Sequence, residues 1–339
     1  MTSIHPLRLL RRQFLGASLA GLLSLAGGPV WAQAPATVAP PAGTQPALRL
    51  IVPFTPGTGI DLVARTVGPR LSERLGRPVV VDNRAGASGN IGTELVVRAP
   101  PNGNTLLVSV NTLVMNASLY PKLPFDPVRD LTPVTLTSWG QLLLVTGPQT
   151  GFKTAAELVA AAKTRPGGIN FASPGVGTPH HMSMELFKST AGVFLTHIPY
   201  RGTAPALTDL LGGQVETMFL PIHVALPHVK AGKLVALGIG SEKRHPLLPD
   251  VPTLAEARTG NVNVDMWFGI FAPPGTAPEQ VALLNREIRD ILQTEEVRKA
   301  FQTQGMDPSG STPAEFQRLV EKDAKRWADL IKAQNIKAD

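Results

Sequence analysis

The sequence predicts an α/β protein built from two doubly wound α/β domains with a helical C-terminal tail. Three observations predict it. Short, almost wholly apolar runs alternate with stretches that carry apolar residues at three-to-four spacing. The alternation occurs in two series that divide near residue 140. The chain then ends in helix-like stretches, the last two plainly amphipathic.

In the first series, the strand-like ALRLIVPF (47–54) precedes a helix over 61–76 that carries Leu62, Leu71 and Leu75. PVVVDN (78–83) is followed by the helix-like GNIGTELVVRA (89–99), and TLLVSV (105–110) by TLVMNASLY (112–120). The strand-like runs are short and nearly all apolar, as expected of parallel strands buried on both faces. The second series begins with QLLLVTG (141–147) and the Ala-rich helix TAAELVAAAKTR (154–165). INFAS (169–173) leads through PGVGT into PHHMSMELFKSTAG (179–192); FLTHIPY (194–200) leads into APALTDLLGG (204–213). VETMFLP (215–221), IHVALPHVKAG and LVALGIGS (234–241) follow. After the Pro-rich, charged EKRHPLLPDVPTLAEA come MWFGIFAPPG (266–275) and three terminal helices, the last two separated by Gly305 and Pro308.

The 339 residues allow two ordinary domains with sizeable cores. A 43% hydrophobic and 17% charged composition excludes a mostly disordered chain. Residues 1–32 read as an export signal: Arg8, Arg11 and Arg12 form a basic region, GASLAGLLSLAGG (16–28) a short apolar one, and Val30-Trp31-Ala32 a cleavage site. RRQFLG (11–16) resembles a twin-arginine signal, with a general secretory signal as the rival reading. Removing this segment takes away three arginines and no acid, so the formal charge falls from +7 to +4. No Lys/Arg run with interleaved aromatics points to nucleic acid. Without cysteine there is no disulfide framework, thiolate metal site or Cys nucleophile. Residues 33–46, QAPATVAPPAGTQP, read as a Pro/Ala-rich tether.

In open α/β sheets ligands lie beyond the carboxyl ends of the strands. Two strand-to-helix loops there are Gly-rich: Phe54-Thr55-Pro56-Gly57-Thr58-Gly59-Ile60-Asp61, and Ser173-Pro174-Gly175-Val176-Gly177-Thr178-Pro179. Ser109-Val110-Asn111-Thr112 is shorter and polar. Glycine lets backbone N–H groups turn outward, and a helix N-terminus carries about half a positive charge. Together they make an anion site without a basic side chain. The bland alternative is ordinary helix capping, for which Asp61 and Thr178 are suited. Neither loop is a P-loop or a G-x-G-x-x-G fingerprint, and Gly86–Gly92 has the wrong spacing. His180 and His181 diverge on a helix, and His223 and His228 are poorly spaced, so no metal site is expected. Ser173 is a nucleophile on paper with no identifiable base, and there is no G-x-S-x-G elbow. Arg201, in Tyr200-Arg201-Gly202-Thr203, is placed either to clamp a carboxylate or to be a solvated loop charge. Phe219-Leu220-Pro221 ends another strand and either lines the cleft or packs in the core.

The order LRLIVPFTPGTGIDLVAR, VVVDNRAGASGNIGTELVVRAPPNGNTLL, ASLYPKLPFDPVRDLTPVT resembles the tripartite tricarboxylate transporter substrate-binding proteins, the Bug receptors. INFASPGVGTPHHMSMELFK, HIPYRGTAPALTDLLGGQVETMF and KRHPLLPDVPTLAEA share the resemblance, which spans residues 47 to 335. It implies a type II, Venus-flytrap periplasmic binding protein whose two domains, 47–141 with 267–339 and 142–266, close through a hinge. The C-terminal helices would then pack on the first domain. It further implies a monomeric, cofactor-free receptor, not an enzyme, localised to the periplasm. Its ligand would be a small carboxylate: a di- or tricarboxylate, an amino acid or an aromatic acid. Its partner would be the permease subunits of such a transporter or, alternatively, a sensor protein.

Carried over residue by residue, the resemblance puts Phe54, Thr55, Pro56, Gly57, Thr58, Gly59 and Asp61 on one wall of the cleft. Ser173, Gly175, Val176, Gly177, Thr178 and His180 form the other. Ser109, Asn111, Tyr200, Arg201, Phe219 and Pro221 are weaker carry-overs. One departure stands out against the family pattern F-P-P-G-G-x-x-D: Thr55 replaces a proline and Thr58 a glycine. A β-branched residue at positive φ costs about 1–3 kcal/mol, so either Thr58 keeps φ negative or the loop takes another path. The rival from another class is a hydrolase using Ser173 or a histidine.

Overall fold

The computed structural model describes residues 46–120 and 122–337. The export signal and all of the tether except Pro46 lie outside the described residues. The elements in chain order are β1 (Leu48–Val52), α1 (Gly59–Leu75), β2 (Val79–Asn83), α2 (Asn90–Val97), β3 (Thr105–Val110), α3 (Thr112–Leu119) and β4 (Thr132–Gly140). Then come β5 (Leu142–Thr146), α4 (Ala155–Thr164), β6 (Asn170–Ser173), α5 (Pro179–Ala191), β7 (Thr196–Pro199), α6 (Thr203–Leu211), β8 (Thr217–Pro221), α7 (Ile222–Lys230) and β9 (Val235–Ile239). The chain ends with β10 (Met266–Ala272), α8 (Pro278–Gln293), α9 (Glu295–Thr303), β11 (Met306–Pro308) and α10 (Pro313–Ala333).

Two sheets result. The first has the order β11-β4-β10-β3-β1-β2, the second β7-β6-β8-β5-β9. Both are mixed, which corrects the wholly parallel reading of the apolar strands. β1 is parallel to β2 and β3, but β10 is antiparallel to β3 and β4. β6 is parallel to β7 and β8, but β5 is antiparallel to β8 and β9. A strand buried on both faces is uniformly apolar whichever way its neighbours run, so composition does not report direction.

The parallel parts of the two sheets repeat one plan. In each, the first strand lies between the second and the third, and a helix follows every strand. β1, β2, β3 in one lobe correspond to β6, β7, β8 in the other. A single residue, Gln141, joins β4 of the first lobe to β5 of the second. Its Nε2 donates to Ser241 Oγ at 3.0 Å, so the outgoing crossing is tied to the segment that returns to β10.

The C-terminal helices pack on the first sheet, against β4 and α3. Trp267 on β10 meets Phe316 of α10 edge-on at 5.4 Å, and its indole N–H donates to Asp323 Oδ2 at 2.8 Å. α10 starts at a capping box: Thr312 Oγ1 accepts from Glu315 N, and Thr312 N donates to Glu315 Oε2.

Candidate functional site

Five helices begin at one place. α1 and α3 follow the adjacent strands β1 and β3; α5, α6 and α7 follow β6, β7 and β8 of the facing lobe. Within each lobe these strands are parallel, and the helices begin at their carboxyl ends. Their N-termini line an inner cavity of about 40 Å³: Thr58 and Gly59 from α1, Thr112 from α3, Thr178 and His180 from α5, Thr203 from α6, His223 from α7. First-turn N–H groups have no acceptor within their own helix, and the helix dipoles add positive potential. No Lys, Arg, Asp or Glu lines this cavity. An outer pocket of about 530 Å³ shares Phe54 and Pro174 with it and adds Thr55, the 85–89 turn, Gly175 and Tyr200–Gly202.

The first loop is fixed by Asp61, which is 4% exposed. Its carboxylate accepts from Gly57 N at 3.0 Å, from Asn83 Nδ2 at 3.0 Å and from Arg65 Nε. Burial would raise this carboxyl, but the hydrogen bonds from Arg65, Gly57 and Asn83 outweigh it and hold the group below the ordinary range. Asp61 therefore does not cap α1 in the usual sense. The N-cap position belongs to Thr58, and Asp61 in the first turn clasps the loop. Gly57, at φ +84°, spends its N–H on that clasp and does not present it to the cleft.

Thr58 resolves the sequence puzzle. Its φ is −80° and ψ 163°, ordinary extended backbone, and its hydroxyl donates to Thr55 O at 3.2 Å. Its φ therefore stays negative, and the threonine carries no strain of that kind. Thr58→Gly is expected to lower stability by about 0.5–1 kcal/mol through unfolded-state entropy. It should also widen the inner cavity and broaden ligand selectivity, read by thermal melts with and without ligand.

In the second loop Ser173 is fully buried. Its Oγ lies 2.7 Å from His197 Nε2, 3.2 Å from Gly175 N and 3.1 Å from Gly175 O. A partner base thus exists that the sequence did not reveal. Yet Ser173 lines neither cavity, and its hydroxyl holds the 174–177 turn from beneath. His197 stacks between Phe171 at 4.7 Å and His181 at 4.2 Å. His181 accepts from Gly177 N, while its neighbour His180 turns to the inner cavity. Among the described residues no cluster of three or more His, Asp or Glu is arranged to hold a metal.

The two lobes touch across the cleft. Ser88 Oγ donates to Val176 O at 2.7 Å, and Tyr120 Oη lies 3.3 Å from Ser88 Oγ. Gly177, at φ +77°, fits so tightly that a Cβ there would lie 2.6 Å from Leu119 Cδ1 and 2.7 Å from Asn116 Oδ1.

Ten of the sequence-derived residues line the two cavities: Phe54, Thr55, Thr58, Gly59, Gly175, Thr178, His180, Tyr200, Arg201 and Pro221. Nine do not. Pro56 and Gly57 are exposed at the loop tip, and Asp61 and Ser173 brace the loops from behind. Val176 and Gly177 make the lobe contact. Ser109 and Asn111 are buried, with Asn111 Nδ2 on Asp265 O, and it is their neighbours Val110 and Thr112 that line the cavity. Phe219 is core, edge-on to Phe187 at 6.5 Å. Tyr200 turns its hydroxyl away to Asp209, and burial with that carboxylate pushes it up to about 12. Sequence reasoning missed the 85–89 turn, Thr112, Thr203, Met266, Phe268 and above all His223. His223 lies two residues past the end of β8, the parallel neighbour of β6, a placement that only the strand order reveals.

The model of the tripartite tricarboxylate transporter family receptor (TctC) matches residues 63–336. Protein BugT of Bordetella pertussis is 38% identical over 300 residues, covering 87% of this chain and 92% of BugT. Rpa4515 of R. palustris, solved with adipate, is 34% identical with a TM-score of 0.83, covering 86% of this chain and 98% of that one. MatC of Rhodopseudomonas palustris, solved with bound malate, is 32% identical with a TM-score of 0.79, covering 84% and 98%. With a family model spanning most of its length and relatives of this identity and coverage, the chain belongs to the Bug (TctC) family of tripartite tricarboxylate transporter receptors.

Proposed function

We propose that this protein is an exported receptor that captures a small carboxylate between its lobes and hands it to a tripartite tricarboxylate-type transporter. One observation carries the reading: five helix N-termini from two lobes meet at a cleft whose inner part holds no charged side chain. Such a place favours an anion that accepts several N–H and O–H donors. Adipate on Rpa4515 and malate on MatC support a carboxylate as that anion.

The two closing bodies are residues 47–141 with 267–339, and residues 142–266, with the hinge at Gln141 and near Met266. Residues 1–32 direct export to the periplasm, by the twin-arginine or the general secretory route, with cleavage after Ala32. The receptor acts as a monomer and binds rather than transforms its ligand. Its macromolecular partner is the permease. A ligand at about 100 times its Kd adds about 2.7 kcal/mol to the folded state. That raises the melting temperature by roughly 4–5 °C for a chain of this size. A thermal-shift panel of mono-, di- and tricarboxylates, aromatic acids and amino acids tests the reading. A rise of this size with one class is expected; no rise with any carboxylate counts against it.

A further inference from the structure

We propose that His180 and His223 form a paired grip for one carboxylate in the inner cavity, and that the ligand is a dicarboxylate whose other end lies beside Arg201. The inference rests on the carboxylate-capture reading and goes beyond it in naming the ligand class and the residues that select it.

The inner cavity is a built site. His180 is 8% exposed, and neither of its ring nitrogens has a hydrogen-bond partner; His223 Nε2 is likewise buried and unpartnered, as is Thr112 Oγ1. Buried polar atoms are seldom left so, because each unmade hydrogen bond is costly. Here they line one small space between the lobes. A water needs about 10–15 Å³ of such space. The cavity of about 40 Å³ therefore takes about three heavy atoms, the size of a single carboxylate. Two imidazoles offer one N–H donor each, one for each carboxylate oxygen.

The rest of the ligand must lie outward. Phe54 and Pro174 border both compartments, so the passage between them has apolar walls suited to a methylene chain. Beyond it, Arg201 lines the outer pocket and makes no ion pair among the described residues. A guanidinium at one end and two imidazoles at the other fit an anion with a carboxylate at each end.

The grip couples binding to protons. Burial, with His223 alongside, lowers His180 to about 3, and burial lowers His223 to about 4, so both are neutral at pH 7 in the free protein. No other titratable or charged group lines the cavity they share. His181, the neighbour of His180, faces His197, Glu185 and Lys188 instead. A carboxylate between the rings favours the imidazolium and raises its pKa. Binding therefore takes up protons, and affinity rises as pH falls through the raised value.

Isothermal titration in buffers of different ionisation enthalpy tests the proposal. The probes are succinate, adipate and suberate, with butanoate, hexanoate and octanoate as one-ended controls. The proteins are the wild type, His180→Gln, His223→Gln and the corresponding Leu variants, each checked for its melting transition. One dicarboxylate should bind the wild type roughly tenfold or more tighter than its control, because charge-assisted hydrogen bonds at the second end are gained. Its binding should take up protons. Each variant should lose the proton uptake and bind the dicarboxylate and its one-ended control more weakly alike, since both seat a carboxylate between the two rings, while the preference for the dicarboxylate, set at the Arg201 end, persists. The Gln variants carry the test if a Leu variant fails to fold. Dicarboxylates no tighter than their controls, or Gln variants with wild-type affinity and proton uptake, would overturn the proposal while leaving carboxylate capture standing. Binding of no carboxylate at all would defeat the capture reading and this proposal together.

Discussion

Gly177→Ala is expected to weaken ligand binding by roughly 30-fold or more while both sheets remain folded. Two effects add. Gly177 sits at φ +77°, where an L-residue costs about 1–3 kcal/mol. Its added Cβ would also meet Leu119 and Asn116 of the other lobe, at 2.6 and 2.7 Å. Neither neighbour gives way easily. Both are buried, and Asn116 Nδ2 is held by Ser88 O and Asn90 Oδ1. Opening the lobes relieves the clash, so the cost falls on the closed, ligand-holding state. Every 1.4 kcal/mol lost there is a tenfold loss in affinity.

Gly57→Ala is the control. It has the same kind of backbone, φ +84°, but nothing lies within 4 Å of its added Cβ. It should lower the melting temperature and leave affinity within a few-fold of wild type. Small-angle scattering with and without ligand reads closure directly. A Gly177→Ala protein that binds and compacts like the wild type would show that the 177 contact does not belong to the closed state.

The second large effect is loss of stability in acid. His180 and His223 titrate at about 3 and about 4 in the folded protein, because burial disfavours their charged forms. In the unfolded chain they titrate near 6.5. Above pH 6.5 they are neutral in both states and contribute no pH dependence. As pH falls below 6.5 the unfolded chain takes up protons that the folded one refuses, so stability falls and levels off only near the folded values. At pH 5 each histidine costs about 2 kcal/mol, which together lowers the melting temperature by on the order of 10 °C. Asp265 and Asp323 oppose this, since burial raises both carboxyls and favours the folded state in acid. The difference between wild type and His180→Gln isolates the histidine. The variant should melt with a visibly flatter profile between pH 7 and pH 5; parallel profiles would contradict the assignment.

Most of the fold was legible because the strands are short and apolar and the helices carry clear three-to-four spacing. Strand β3 falls on its sequence-derived boundaries, and the strand–helix order holds through both lobes. β4 was not legible. Its TPVTLTSWG is interrupted by threonines and serine that are nonetheless buried, because hydroxyls such as those of Thr135 and Thr137 donate to backbone carbonyls of neighbouring segments. β11 has three residues, too few for a periodicity.

The site was legible where it depends on backbone chemistry. Gly-rich turns followed by helix starts pointed to Phe54, Thr58 and Thr178, which line the inner cavity. It was illegible where it depends on which strands are neighbours. His223 is 43 positions from His180, and its spacing to His228 suggested nothing. The two histidines meet only because β8 lies parallel beside β6. The role of Asp61 was misread for a related reason: an acid in a first turn suits a cap, and its partners Gly57 and Asn83 come from the loop and the next strand.

Native mass spectrometry of the protein purified without denaturation from its source cell tests the central claim most directly. Capture of a small carboxylate predicts a one-to-one complex with a small organic acid, lost on unfolding and weakened in Gly177→Ala. A co-purifying cation or neutral molecule in the same stoichiometry, indifferent to that substitution, would contradict it.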